Sequence, residues 1–416
     1  MPACVRPATG WPRGFAEPAG IANNRYGPPH RFIAMKPAAA ILLALACASC
    51  CDLHAAERPR AREAGIIVGV LPPGPLNAIT DVPGVRVGQS TPPDGLPWSG
   101  MTAIHPHEGN AFLSRVPAAI EVGNGFGKLI GLSQVRELGE LEAPVVLTGT
   151  LATWRAADAT AGWLLRQPGM EQVRSINPVV GETNDGFLVD IRARALPAEA
   201  VESALSDADS GPVAEGAVGA GAGTVAFGWK GGIGTSSRVV EHGAGRHTLG
   251  VLVQSNYGGR LTVAGVPVWR TLPDPREVAA SREAAPNTGD GSIMIVVATD
   301  APLDARQLGR LARRALFGLA RTGSSMSHGS GDYVIAFSNA SALRHGPGEA
   351  APAATLLADE AMTPLFEAVA DATEEAILNS MFRARTVRGH RGTVPALPLA
   401  PVLEQLRAAG AVATQP

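Results

Sequence analysis

The chain has 416 residues, a formal net charge of −2 and 17% charged residues, so it offers no electrostatic basis for holding nucleic acid or a strongly acidic partner. Hydrophobic residues make up 45%, enough for a sizeable core, while 49 glycines and 5% aromatics fit a tightly packed α/β protein better than an aromatic-lined carbohydrate or single-strand binder. All four cysteines (Cys4, Cys47, Cys50 and Cys51) precede the main body, which therefore holds no disulfide, cysteine nucleophile or zinc–thiolate site.

Met35-Lys36-Pro37 is followed by a short Ala/Leu/Ile run over residues 38–46, the layout of a bacterial secretory signal. Residues 1–34 have no periodicity, which points to Met35 as the translation start. Ala44-Leu45-Ala46-Cys47 resembles a lipoprotein cleavage box, so residues 1–56 read as a leader of either kind. The run is too short for a comfortable transmembrane helix. The expectation is a periplasmic or otherwise exported protein with one catalytic domain over 57–416.

In the body, residues 65–70 have strand character, and Pro83-Gly84 separates two further short strands within residues 77–88. Residues 101–104 continue the β pattern. His105, His107 and Glu108 follow, without a further ligand at metal spacing, so no metal is expected. Residues 118–122 form a strand leading into Gly123-Asn124-Gly125-Phe126-Gly127-Lys128, which lacks the first glycine and the Ser/Thr of a phosphate loop. A strand over 141–150 precedes a helix over 153–166, and a short surface helix covers 198–207. Mixed strands and helices give an α/β or α+β class.

Glu182 lies in the glycine-flanked run Asn177-Pro178-Val179-Val180-Gly181-Glu182-Thr183-Asn184-Asp185-Gly186, which on its own reads as a solvated loop and also suits a substrate-binding carboxylate. The glycine-rich stretch 216–224 has no strand before it and extended residues after it, so it serves close backbone packing and not dinucleotide binding. Residues 249–254 are a strand, and Asn256 stands at its end, read locally as a turn residue although its amide suits an oxyanion. Residues 272–290 behave as an exposed linker that tolerates a chain break.

That linker ends at Gly291-Ser292, where the apolar strand 292–299 begins. Locally this is only a loop meeting a strand. Asp304 and Gln307 form a capping box for a helix whose apolar face is Leu308, Leu311, Ala312, Ala315, Leu316 and Leu319. A small-residue loop over 322–332 precedes a strand over 333–338. Thr363 caps a second helix, with Pro364 at its first position and an apolar face through Leu365, Val369, Ala372, Ala376 and Ile377. Arg383, Arg385, Arg388 and Arg391 read as a solvated basic cluster. No G-x-S-x-G elbow or H-E-x-x-H motif is present.

Five ordered blocks resemble one family: residues 77–88; Lys230-Gly231-Gly232-Ile233-Gly234-Thr235-Ser236-Ser237-Arg238; Val253-Gln254-Ser255-Asn256-Tyr257-Gly258; Gly291-Ser292-Ile293; and Ser330-Gly331-Asp332-Tyr333-Val334. Together they resemble the DmpA-type P1 peptidases, the L-aminopeptidase/D-Ala-esterase-amidases and β-peptidyl aminopeptidases, over residues 65–392. The resemblance implies a four-layer αββα sandwich related to the ornithine acetyltransferases and reminiscent of N-terminal-nucleophile hydrolases. It implies self-cleavage between Gly291 and Ser292 into chains 57–291 and 292–416, with Ser292 as nucleophile. Ser330 and Asp332 become its polar partners, Asn256 the oxyanion donor and Glu182 the holder of the substrate amine. Some relatives carry Glu at the position of Asp332.

The function implied is release of small N-terminal residues from peptides, amides or esters, without cofactor or metal, by a homo-oligomer of αβ pairs. Two alternatives stand beside it. One is an acyltransferase of the ornithine acetyltransferase type, against which Ser292 counts because those enzymes use threonine. The other is a non-catalytic exported binding protein on the same scaffold.

Overall fold

A computed structural model describes residues 58–242, 245–279, 291–350 and 352–413; the expected leader and the end of the linker, 280–290, lie outside them. Two sheets form the centre, with strands numbered along the chain. The first runs in the order β1 (Arg86–Ser90), β2 (Met101–His105), β6 (Val145–Gly149), β7 (Val179–Thr183) and β4 (Leu129–Ile130). The second runs β10 (Gly232–His242), β11 (Gly245–Asn256), β12 (Ser292–Thr299), β13 (Gly331–Ser338), β3 (Val116–Gly125) and β5 (Glu140–Leu141). The short hairpins β8 (Val225–Ala226) with β9 (Trp229–Lys230), and β14 (Val387–Arg388) with β15 (Thr393–Val394), stand apart.

Strand β12 shows how the sequence builds the layers. All eight of its residues are buried, as a strand covered on both faces requires. Ile293, Ile295 and Val297 point into a core shared with helices α5 (Ala305–Arg321) and α6 (Thr363–Phe382). Met294, Val296 and Ala298 point the other way, onto Leu147 and Val179 of the first sheet. Beyond that sheet, Val146 and Val180 pack on Ala156 of α2 (Thr153–Leu165) and on Val201 and Leu205 of α3 (Ala198–Ser206). Three successive cores thus separate four layers in the order αββα. Two shorter helices, α1 (Leu132–Leu138) and α4 (Pro275–Val278), and the C-terminal α7 (Leu399–Ala408) complete the α-helices of the described residues.

The capping box of α5 forms as the sequence predicts: Gln307 N–H donates to Asp304 Oδ1 at 2.7 Å, and Asp304 N–H to Gln307 Oε1 at 3.2 Å. Helix α6 departs from expectation. Thr363 is its first residue and not its cap, and both faces are buried from Ala368 to Phe382. Its Glu375 is matched by Arg238 at 2.7 Å, Arg62 at 2.8 Å and the Asn77 amide at 2.6 Å, which outweigh burial and hold its carboxyl below the usual range.

Other expectations change as well. Residues 65–70 form no strand, and residues 77–88 hold a 3₁₀ turn, Ile79–Asp81, followed by the single strand β1. His105 and His107 bond the Leu205 and Ser114 carbonyls at 2.9 and 2.7 Å, and burial lowers the His105 pKa to about 4. No group of His, Cys, Asp and Glu among the described residues is placed to hold a metal.

Candidate active site

Strand register assembles the site. Strand β12 lies antiparallel to β11 and parallel to β13, so Asn256, Ser292 and Gly331 fall side by side. Ser292 is the first residue of its strand and only 4% exposed. The Gly331 N–H reaches both the Ser292 Oγ at 3.3 Å and the Gly291 carbonyl at 3.0 Å. Ser330 and Asp332 flank Gly331, and the Ser330 hydroxyl donates to Asp332 Oδ1 at 2.7 Å. Burial pushes the Asp332 carboxyl up to about 6, with the Ser330 hydroxyl and the Ile293 peptide pulling it back. Its other oxygen, Oδ2, is buried without a partner.

Gly291 owes its identity to packing. A Cβ there would overlap the Asn256 carbonyl and come within 2.5 Å of the Tyr257 Cα. Close approach of the chain is the reason for a glycine here.

Asn256 closes β11 and is not in a turn. Its Oδ1 accepts from the Val225 N–H at 2.8 Å, which orients the amide and leaves Nδ2 as the group available to a ligand. The segment carrying Val225 is itself pinned: the buried Lys230 ammonium donates to the carbonyls of Gly221, Thr224 and Gly231 at 2.8, 2.8 and 2.9 Å. Gln254, two residues before Asn256, crosses between the sheets. Its Nε2 donates to the Thr148 carbonyl, Thr183 Oγ1 and the Ala220 carbonyl at 3.0, 2.9 and 2.9 Å, clamping β11 against β6 and β7.

Glu182 belongs to β7, a fully buried strand, and not to a solvated loop. It is 2% exposed. Its Oε1 accepts from the Lys128 N–H at 3.0 Å and pairs with the Lys128 ammonium at 3.1 Å, while Oε2 is buried without a partner. A buried carboxylate oxygen left unmatched costs free energy, and a ligand carrying a donor can supply what is missing. The turn carrying Lys128 is held by the Tyr333 hydroxyl, which donates to the Gly125 and Gly127 carbonyls at 3.3 and 3.0 Å. Opposite it, the Asn124 amide gathers the carbonyls of Ser327, His328 and Ser330, fixing the loop that leads into β13.

These groups surround a cavity of about 670 Å³, within the range for small-molecule sites. Ser292, Asn256, Glu182 and Gly291 line it, Phe126, Phe187 and Ile191 supply its apolar surface, and Arg391 stands at its wall. Ser330 and Asp332 lie buried, adjacent to Ser292 in register. The structure therefore brings together all six residues singled out in the sequence. Asn124, Lys128, Tyr333, Gln254 and Arg391 were missed. Asn124 and Lys128 stood in a recognised turn, but their partners lie 203 and 54 residues away.

A serine at the head of a central strand of an αββα sandwich, with amide, hydroxyl and carboxylate partners in register, defines a serine hydrolase of the N-terminal-nucleophile architecture. The description of peptidase family S58 matches residues 77–394, and the chain belongs to that family. It is 41% identical over 364 residues to the β-peptidyl aminopeptidase BapA of Sphingosinicella microcystinivorans, covering 82% of this chain and 90% of that one. Among solved structures, it is similar to the PH0078 protein of Pyrococcus horikoshii OT3 at 42% identity and a TM-score of 0.77, over 85% of this chain and 99% of the other. The L-aminopeptidase D-Ala-esterase/amidase of Ochrobactrum anthropi, described as a variant of the Ntn hydrolase fold, matches at 36% identity and a TM-score of 0.78, over 86% and 100%. The chain is an aminopeptidase-type hydrolase. These relatives give no support to the acyltransferase or the non-catalytic reading.

Proposed function

We propose that the chain cuts itself between Gly291 and Ser292, and that Ser292, then an N-terminus, is the nucleophile of an aminopeptidase acting on small N-terminal residues of peptides, amides or esters. The observation that carries this reading is the register of Asn256, Ser292 and Gly331 beside a cavity containing an unmatched Glu182 oxygen. In the uncut chain, the Gly331 N–H already polarises the Gly291 carbonyl, the one Ser292 Oγ attacks, and the resulting ester is hydrolysed by water.

Cleavage frees an α-amine with an ordinary pKa of about 7.7–8.0, suited to accept the Ser292 proton at neutral pH. Ser292 Oγ then attacks the substrate acyl carbon, the Asn256 Nδ2 donates to the developing oxyanion, and water resolves the acyl-enzyme. The Ser330–Asp332 pair stabilises positive charge on the amine. Glu182 Oε2 takes the substrate ammonium, which confines attack to the N-terminal residue. The relatives' names span β-peptidyl and L-aminopeptidase activities, so the substrate panel should include L-, D- and β-amino acyl amides.

The same reading includes export, supported by the signal-like segment after Met35, and assembly of αβ pairs into an oligomer, supported by the family resemblance. Mass spectrometry tests the core of it: the mature protein should contain a fragment beginning at Ser292. Ser292→Ala should leave one uncut chain that does not hydrolyse alanine p-nitroanilide. A fully active uncut chain would sink the proposal.

A further inference from the structure

The cavity contains two cationic side chains of opposite circumstance. Lys128 is committed, its ammonium 3.1 Å from Glu182. Arg391 also lines the cavity, and its guanidinium makes no hydrogen bond or ion pair with any described residue. It sits in the turn between β14 and β15, far in sequence from the strands that carry the nucleophile.

That turn is docked firmly. The His390 and Arg391 N–H groups donate to the Leu188 and Phe187 carbonyls at 2.8 and 3.0 Å, and Gly389 N–H closes the turn on the Gly392 carbonyl at 2.9 Å. Gly389 lies so close to the Leu188 carbonyl that a Cβ there would overlap it. Phe187, which accepts from Arg391, is itself part of the cavity wall. The Arg391 backbone is thus fixed beside the cavity before any ligand arrives, which lowers the ordering cost of using its side chain.

A cavity with an unmatched carboxylate oxygen and an uncommitted guanidinium is complementary to a molecule carrying both an ammonium and a carboxylate. We propose that Arg391 is a specificity-determining residue that binds the C-terminal carboxylate of a short peptide substrate, so that the enzyme favours short peptides with a free C-terminus over the corresponding amides. The inference rests on the assignment of Ser292 and Glu182 above. A guanidinium offers a paired donor edge that matches a carboxylate, whereas a neutral amide can accept fewer of those donors and gains no charge attraction. Arg391 is solvent-exposed, so its effect is modest and weakens with added salt.

The test uses the processed enzyme and whichever of L-alanine, D-alanine or β-alanine p-nitroanilide it cleaves fastest, with the matching X-Ala dipeptide and X-Ala amide. The expected result is a KM for the dipeptide about tenfold below that for its amide, equivalent to about 1.4 kcal/mol. Arg391→Gln should raise the dipeptide KM to the amide's value, with kcat and anilide hydrolysis unchanged. Arg391→Lys should keep part of the preference. Equal KM values for dipeptide and amide in the wild type would overturn the inference while anilide hydrolysis leaves the site assignment standing. So would an Arg391→Gln variant that keeps the preference or loses anilide hydrolysis in proportion. A processed wild-type enzyme inactive on all three anilides would remove the underlying assignment, and this inference with it.

Discussion

Replacing Asn256 by Asp isolates one atom. The aspartate keeps an oxygen to accept from the Val225 N–H, now at 2.8 Å, and so preserves the contact that anchors the end of β11. What disappears is the Nδ2 donor facing Ser292, and a carboxylate oxygen takes its place beside an oxygen that must become negative. Loss of one oxyanion donor costs about 10²–10³ in kcat, or about 2.7–4 kcal/mol, and the added like-charge repulsion puts this variant at or beyond the upper end. Asn256→Ala forms the contrast: it removes donor and acceptor together and orphans the Val225 N–H, adding a stability loss of about 1–3 kcal/mol. The assay is kcat on alanine p-nitroanilide with purified, processed chains, alongside thermal melts of both variants. Asn256→Asp should melt near the wild type yet lose nearly all turnover, while Asn256→Ala loses both. An Asn256→Asp enzyme retaining kcat within about threefold, under 1 kcal/mol of barrier, would refute the oxyanion assignment.

Glu182→Gln keeps a side chain of the same shape but withdraws the charge that faces the cavity; KM for free-amine substrates should rise by about tenfold or more, and unchanged kinetics would remove its assigned role. The Asp332 carboxyl, raised to about 6, gives a pH dependence in two observables. Catalysis needs the ionised form, so kcat should climb as pH rises through about 6, and Asp332→Asn should abolish that limb together with most activity. Stability runs the other way. Folding raises this pKa above the ordinary 3.8, so stability is lost as pH rises from about 4 through 6, and the ionised group costs up to about 3 kcal/mol above that. Asp332→Asn should therefore flatten this part of the Tm–pH curve; a wild-type Tm that rises over the same window without the variant's doing so contradicts the reasoning.

Much of the scaffold was legible because it is local. The six-residue apolar run 293–298 of β12 specifies a strand covered on both faces, and Asp304 with Gln307 marks the start of α5 through bonds spanning three residues. Five of the six proposed site residues were legible only as members of ordered blocks, and Glu182 only through the resemblance those blocks carry, since neither Gly291-Ser292 nor the Glu182 run distinguishes itself locally from an ordinary loop. Composition and cysteine placement also fixed what the body lacks, whatever its fold.

The tertiary structure decided how those blocks meet. Pairing of β12 with β11 on one side and β13 on the other brings Asn256, Ser292 and Gly331 level, and a slip of one residue would turn every side chain to the opposite face. It also decided burial, which makes Glu182 a strand residue with one unmatched oxygen and pushes Asp332 up to about 6. Arg391 shows the limit most plainly. In sequence it is one of the cluster Arg383, Arg385, Arg388 and Arg391, and only the docking of its turn on Phe187 and Leu188 sets it at the same cavity as Ser292. Sequence periodicity reports which face of an element is apolar; it carries no information about contacts tens to hundreds of residues apart, and the physical chemistry of this site is made largely of those.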